Sequence, residues 1–324
     1  MFDCITVGGA SRDVFFMTSG GKTVKDPARS LGRLIGFPSG AKIIPETSDF
    51  TYGGGGTNTA VSLSRLGLDV ASVVSVGTEG TGSLIVENLK AQGVDTKHIL
   101  RNKEHHTAMS VVVGIPGQDH VMFLYRGANN HLAIPDWREM QTKWFYLTSL
   151  TGESADIIPE FFAYAAANNI CIAWNPGSEQ LLMGAKELAD YLEVTDILFL
   201  NRDEAEKLAK SKSPRKEVSD IKKLMNVLGQ ITKGIIVVTD GARGSHVYDH
   251  EKVYSQSSYA TKIVETTGAG DAFASTFMAV RFLGYGIEYA MKAASINAAS
   301  VIQYVGAQRG LMNFEDISVK IDNE

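Results

Sequence analysis

Residues Val264–Phe273 read VETTGAGDAF: two threonines, a Gly-Ala-Gly and a single acid, placed directly ahead of a long apolar run. Gly268 and Gly270 let the backbone approach a ligand without a Cβ in the way. The run from Ala269 to Gly284 has helical apolar spacing, so these amides open a helix. A helix start carries unpaired N–H groups and partial positive charge, and anions settle there. Asp271, in the first turn, would add negative charge beside such an anion, which is poor design for storing it. The acid makes sense if it takes a proton from a hydroxyl that attacks phosphorus. An acid that merely complements the helix macrodipole has the same position, and the stretch taken alone leaves both readings open.

Upstream of this stretch, short β-branched runs alternate with helical patterns. DCITVGG, DVASVVSV, KWFYLTS, ICIAWNP, TDILFLN and GIIVVTDG read as buried strands. Between them, TNTAVSLSRLG, GSLIVENLKAQG, ADIIPEFFAYAAANN, RDEAEKLAK and SDIKKLMNVLGQI keep helical spacing. The alternation predicts an α/β fold: a mainly parallel central sheet covered by helices on both faces. GSHVYD and KVYSQS predict a hairpin after the last parallel strand. Residues 14–52 and 105–128 break the pattern with strand-like pieces and turns, the second pair joined around Pro116-Gly117-Gln118-Asp119. The expected division is a core of 1–13, 53–104 and 129–324, with a small β lid of 14–52 and 105–128.

Composition narrows the class. The 324 residues carry a formal charge of −5, and the densest basic stretch, KSKSPRKEVSDIKK, is broken by acids. Nucleic-acid binding needs clustered Lys and Arg, so no such partner is expected. No apolar run approaches the roughly 18 residues that span a membrane. MFDCITVGGA has an acid third and no basic region, and reads as a first strand, not a signal peptide. Cys4 and Cys171 lie in apolar segments and read as buried thiols of a reducing, cytoplasmic compartment.

Three further loops follow strands or open helices, where ligands of open parallel sheets gather. Tyr52–Leu66, YGGGGTNTAVSLSRL, exposes backbone amides through four glycines, and Asn58 offers both a donor and an acceptor. It lacks the Gly-Lys-Ser/Thr of a Walker loop and the spacing of a dinucleotide loop. NRDEAEKL places Asn201 and Glu204 three apart at a helix start, within reach of one ligand. VVTDGARGSHV gives Thr239, Gly241 and Gly244 a strand-to-hairpin turn able to hold a nucleotide. Singly, each is matched by an ordinary cap or turn.

In this order, GGxGxN, N-x-x-E, T-x-G-x-x-G and T-G-A-G-D resemble the ribokinase-like carbohydrate kinase family, often called the PfkB family. The resemblance runs from Asp13 to Gly306-Ala307-Gln308. It implies a three-layer α/β/α domain with a β lid and an ATP- and Mg²⁺-dependent phosphotransferase. It makes Asp271 the catalytic base and Gly268, Ala269 and Gly270 the anion hole. Asp13, at the end of the first strand, with Gly54 and Asn58, would hold the sugar. Asn201 and Glu204 would position Mg²⁺ and phosphate through water. Thr239, Gly241 and Gly244 would line the nucleotide, and Ser295 and Asn297 lie where the adenine pocket closes.

The chain departs from ribokinase itself at two places: Gly55 replaces a lysine, and Thr148-Ser149 stands where a substrate-facing glutamate is expected, which puts ribose in doubt. Glu265 replaces the usual aspartate of a K⁺ site completed by carbonyls near Tyr304–Gly310, leaving K⁺ activation open. Arg126, ending a lid strand, could grip a carboxylate or phosphate, since Arg suits bidentate oxyanion contacts. The expected substrate is a small sugar, ketose or pentose first. A nucleoside or a 2-keto-3-deoxy sugar acid is the alternative, and a catalytically silent nucleotide or sugar sensor is the reading from another class. Exposed strand edges on the lid point to a homodimer.

Overall fold

The computed structural model describes residues 1–25, 33–116, 120–133, 136–216 and 218–323. Gly117-Gln118-Asp119, residues 26–32 of the expected lid and Glu217 of the basic stretch lie outside the described residues. The central sheet has eight strands, ordered Val253–Gln256, Ser245–Tyr248, Ile235–Thr239, Ile197–Asn201, Cys171–Trp174, Thr142–Leu147, Phe2–Val7 and Val70–Val73. From Ile235–Thr239 to Val70–Val73 every pairing is parallel. The remaining edge is the expected antiparallel hairpin.

Successive side chains of a strand point to opposite faces, and here each face has its own core. In the first strand Cys4 joins one core with Val61, Phe277 and Met278. Ile5 and Val7 join the other with Phe145, Phe161 and Trp174. Because both faces are buried, the strands read as nearly continuous apolar runs. The helices Gly55–Arg65, Ala269–Phe282 and Ile287–Val301 pack on the first face. Three helices were not legible in the sequence: Ser178–Glu187, Ala189–Glu193 and Phe314–Asp322. The first is interrupted at Gly184, whose φ of 81° breaks the helical repeat.

A second sheet of four strands stands apart, ordered His120–Tyr125, Ala108–Gly114, Ser11–Met17 and Thr47–Gly53. A separate hairpin joins Lys22–Lys25 to Arg33–Gly36. The second sheet begins earlier than the sequence division places it. Asp13 is not at the end of the first strand; it lies inside Ser11–Met17, in register with Thr51 and Ser110. Cys4 is buried, whereas Cys171 is only partly so. No helix of the described residues is long and apolar enough to cross a membrane.

Candidate active site

The parallel strands end together, and their carboxyl ends deliver Gly8, Thr148, Asn175, Asn201 and Thr239 to one edge of the core. Two cavities open there. The first, about 300 Å³, is lined by Gly54, Gly55, Arg126, Thr148, Asn175 and Asp271, and residues Ser11, Ser110, Leu124 and Tyr125 of the second sheet border it. The second, about 390 Å³, is lined by Thr239, Gly241, Gly244, Ala269, Gly270 and Ser295, with Phe273 and Ile302 among its apolar lining residues. The start of the helix Ala269–Phe282 contributes Asp271 to one cavity and Ala269 and Gly270 to the other.

That start leaves peptide amides unpaired. Gly268 caps the helix with φ 82°, a left-handed conformation that an L side chain adopts only at a cost. Among the described residues the amides of Gly268, Gly270 and Asp271 have no hydrogen-bond partner, whereas Ala269 N–H donates to the Thr266 carbonyl at 3.2 Å. Of the three amides expected to form an anion hole, Gly268 and Gly270 stay free, while Ala269 N–H is spent inside the turn and Asp271 N–H is free beside them. The physical reason is the tight turn at Thr266, which turns the Ala269 amide inward.

Asp271 is partly exposed. Burial raises its carboxyl above the usual carboxylate range, and a hydrogen bond from Asn58 opposes the rise. That bond runs from Asn58 Nδ2 to Asp271 Oδ2 at 2.8 Å. Asn58 Oδ1 accepts from Gln308 Nε2 at 3.0 Å. Both ends of the Asn58 amide are thus engaged and the residue is 4% exposed. Where a sugar contact was expected of it, the Asn58 amide is engaged by Asp271 and Gln308. In the sequence Gln308 stands only at the end of the family resemblance, and nothing local connects it to Asp271.

Gly54 and Gly55 line the first cavity. A Cβ on Gly54 would come within 2.5 Å of the Gly9 carbonyl oxygen, so the close approach needs glycine. A Cβ on Gly55 would come to 3.0 Å from the Thr148 side chain, so the two departures from ribokinase face each other. Asp13 is buried behind the cavity, its Oδ1 accepting from Ser11 and Ser110 hydroxyls, and burial raises its carboxyl. Arg126 is exposed and lines the cavity, and its guanidinium has no hydrogen-bond or ion-pair partner among the described residues.

Thr239, Gly241 and Gly244 all line the second cavity. Asn201 and Glu204 form a reciprocal helix cap, Glu204 N–H on Asn201 Oδ1 and Asn201 N–H on Glu204 Oε2. They sit at the same sheet edge, since Asn201 pairs with Thr239. Asn297 is a correction. It is fully buried, donating to Thr276 Oγ1 and accepting from Met312 N–H, and only its neighbour Ser295 reaches the cavity. Residues two apart on a helix face different directions. Glu265 Oε1 accepts from Thr266 N–H, Thr267 N–H and Thr267 Oγ1, so the carboxylate folds over its own turn.

A model of the pfkB family of carbohydrate kinases matches residues 30–313. The chain is 24% identical over 275 residues to a nucleoside kinase of Methanocaldococcus jannaschii, covering 84% of this chain and 85% of that protein. It is also 24% identical over 283 residues to a ribokinase of Staphylococcus aureus, covering 84% and 89%. The solved structure of Arabidopsis thaliana ribokinase complexed with ribose and ATP is alike in fold, with a TM-score of 0.80 at 20% identity over 98% of each chain.

Proposed function

The chain belongs to the pfkB family of carbohydrate kinases, which are ATP-dependent phosphotransferases, and from that premise we propose that it phosphorylates a hydroxyl of a small sugar with Asp271 as general base. One observation carries the reading. A helix start with free amides stands between two cavities, its acid in one and its glycine in the other. In the proposed step Asp271 takes the proton of the sugar hydroxyl as that oxygen bonds to the γ-phosphorus. The bond from phosphorus to the bridging oxygen breaks, and ADP leaves with the electron pair. Fixed amide dipoles meet the charge that builds on the transferring group, which is where such a reaction needs help. Magnesium supplies charge neutralisation on the triphosphate. Asn201 and Glu204, beside Thr239, are the residues that would hold it through water. The second sheet serves as the lid, excluding water from the transferring group.

A second reading of the substrate rests on Arg126. A guanidinium without a partner at a cavity wall suits an anionic sugar, a sugar acid or sugar phosphate. An ATP-consumption screen over pentoses, hexoses, keto-sugar acids, sugar phosphates and nucleosides tests both. Consumption with a small sugar is expected. Clear nucleotide binding with no consumption would leave the silent sensor. If the best substrate is anionic, Arg126→Gln should raise its KM about 10- to 100-fold, as for losing a hydrogen bond to a charged group, with kcat little changed. An unchanged KM returns the reading to neutral sugars. Running the screen in potassium and in choline salts tests the K⁺ site. Glu265 Oε2 has no hydrogen bond among the described residues and could still ligate an ion; equal rates remove the ion.

The strand His120–Tyr125 is an edge of the lid sheet and every residue in it is exposed, Phe123 to 63%. An unpaired apolar edge of this kind invites a second strand. A homodimer through the lid follows, and Phe123→Lys should shift a dimeric sizing peak to monomer. A monomeric parent protein retires the dimer.

A further inference from the structure

Three primary amides form a directed chain that ends on the acid of the site. Asn88 Nδ2 donates to Gln308 Oε1 at 3.0 Å, Gln308 Nε2 donates to Asn58 Oδ1 at 3.0 Å, and Asn58 Nδ2 donates to Asp271 Oδ2 at 2.8 Å. A primary amide has one donor end and one acceptor end, and an ionised carboxylate only accepts. The direction of the chain is therefore fixed by its terminus. Turning Asn58 over would set its carbonyl oxygen against the carboxylate and its NH₂ against the NH₂ of Gln308, two repulsive contacts in place of two bonds. Gln308 is itself held. It is 8% exposed, and its backbone carbonyl accepts from Arg65 Nη1, which also bonds the Leu311 carbonyl.

We propose that Gln308 is a positioning residue for Asp271: it locks the Asn58 amide with its NH₂ toward the carboxylate, which favours the charged form of Asp271 and directs Oδ1 to the substrate hydroxyl. The inference deepens the kinase reading and rests on it for the meaning of Oδ1, but the lock on Asn58 stands without it. The charged and titratable groups around Asp271 are few. The phenol of Tyr146, on the strand Thr142–Leu147, is fully buried with its hydroxyl unpartnered and feels the Asp271 charge. Arg126, from the end of the second sheet, lines the same cavity. Neither donates a hydrogen bond to Asp271, and Asn58 is the side chain that does.

The test titrates the acid itself, in the full chain and without substrate. With carboxyl-¹³C aspartate, the Asp271 resonance is assigned by its loss in Asp271→Asn and followed against pH. Gln308→Glu keeps the shape but presents acceptor oxygens where Gln308 donates. It turns the Asn58 NH₂ away from Asp271, and the midpoint should rise by about one unit or more, since a donor to the charged form is exchanged for an acceptor facing it. Gln308→Leu, which only unlocks Asn58, should give a smaller rise. Asn88→Ala, at the outer end of the chain, should give the smallest, and it keeps the series readable if a Gln308 variant does not fold. Where turnover is measurable, the acid limb of kcat should move with the midpoint while KM for ATP holds. Folded variants whose Asp271 midpoint stays at the parent value overturn the proposal. A midpoint that moves in a protein that phosphorylates nothing would instead count against the kinase reading alone.

Discussion

Asp271→Asn is expected to fold as the parent does and to lose about 10²–10⁴-fold in turnover, the usual worth of a positioned general base. The fold should survive because the substitution is isosteric and an amide oxygen can still accept from Asn58 Nδ2, now at 2.8 Å. The direction of the Asp271 shift adds a sign to the stability. Burial raises its carboxyl above the ordinary range, so the folded state holds the proton more tightly than the unfolded chain. The stability this contributes is present below the unfolded value and is lost as pH rises through the folded one. Above that window the neutral asparagine variant should melt no lower than the parent. A melt together with turnover measured across pH checks both halves. Near-parental turnover would remove Asp271 from the role of base. Turnover of the parent should fall as pH drops through the same raised value, because only the carboxylate can take a proton.

Gly268→Ala is expected to be the next most damaging change, and for a backbone reason. At φ 82° an alanine is strained, and its Cβ would lie 2.3 Å from the Cβ of Ala307 and 2.6 Å from that residue's Cα. Neither atom can move without moving the loop that carries Gln308. The strain alone is worth about 1–3 kcal/mol. Relief requires the turn to open, and that displaces the free amides of Gly268, Gly270 and Asp271. The expected result is a lowered melting temperature with turnover reduced about 10²–10³-fold, comparable to losing one fixed donor to a developing oxyanion. Gly270→Ala is the internal contrast. No atom lies within 4 Å of its Cβ, and the residue is ordinary helix, so its melt should match the parent. A Gly268→Ala protein with parental melting and turnover would show that this turn has no strict geometry to protect.

Most of the architecture was legible in the sequence. The parallel strands are read from apolar runs such as ILFL and GIIVV because burial on both faces requires side chains of one kind in both directions. The hairpin Ser245–Tyr248 with Val253–Gln256 is legible from its two short runs and the turn between them. The second sheet could be foreseen as inserted strands, but not where it began, since the first strand ends at Val7 and a new strand opening at Ser11 takes Asp13 into a different register. The helix Ser178–Glu187 is not legible in the sequence because Gly184 breaks its period and Leu182 and Met183 face outward, which blurs the apolar stripe.

The site divides along the same line. Its backbone features were local and could be read: glycines ahead of helices, an acid in the first turn, a strand-to-hairpin turn with Thr239 at its head. Side-chain partnerships were not, because they join residues far apart in the chain. Asn58 meets Asp271 across 213 residues and Gln308 across 250. Asn297 looked available beside Ser295 until packing turned it inward onto Thr276 and Met312.

By itself the sequence determined which segments are strands and helices and where an anion can meet unpaired amides, because propensity, periodicity and glycine's freedom act over a few residues. Only the tertiary structure decided that Asn58 serves the acid, that Gln308 stands behind it and that the Arg126 guanidinium is left without a partner. Those outcomes depend on which distant donors and acceptors are brought within hydrogen-bonding distance when the helices close over the sheet.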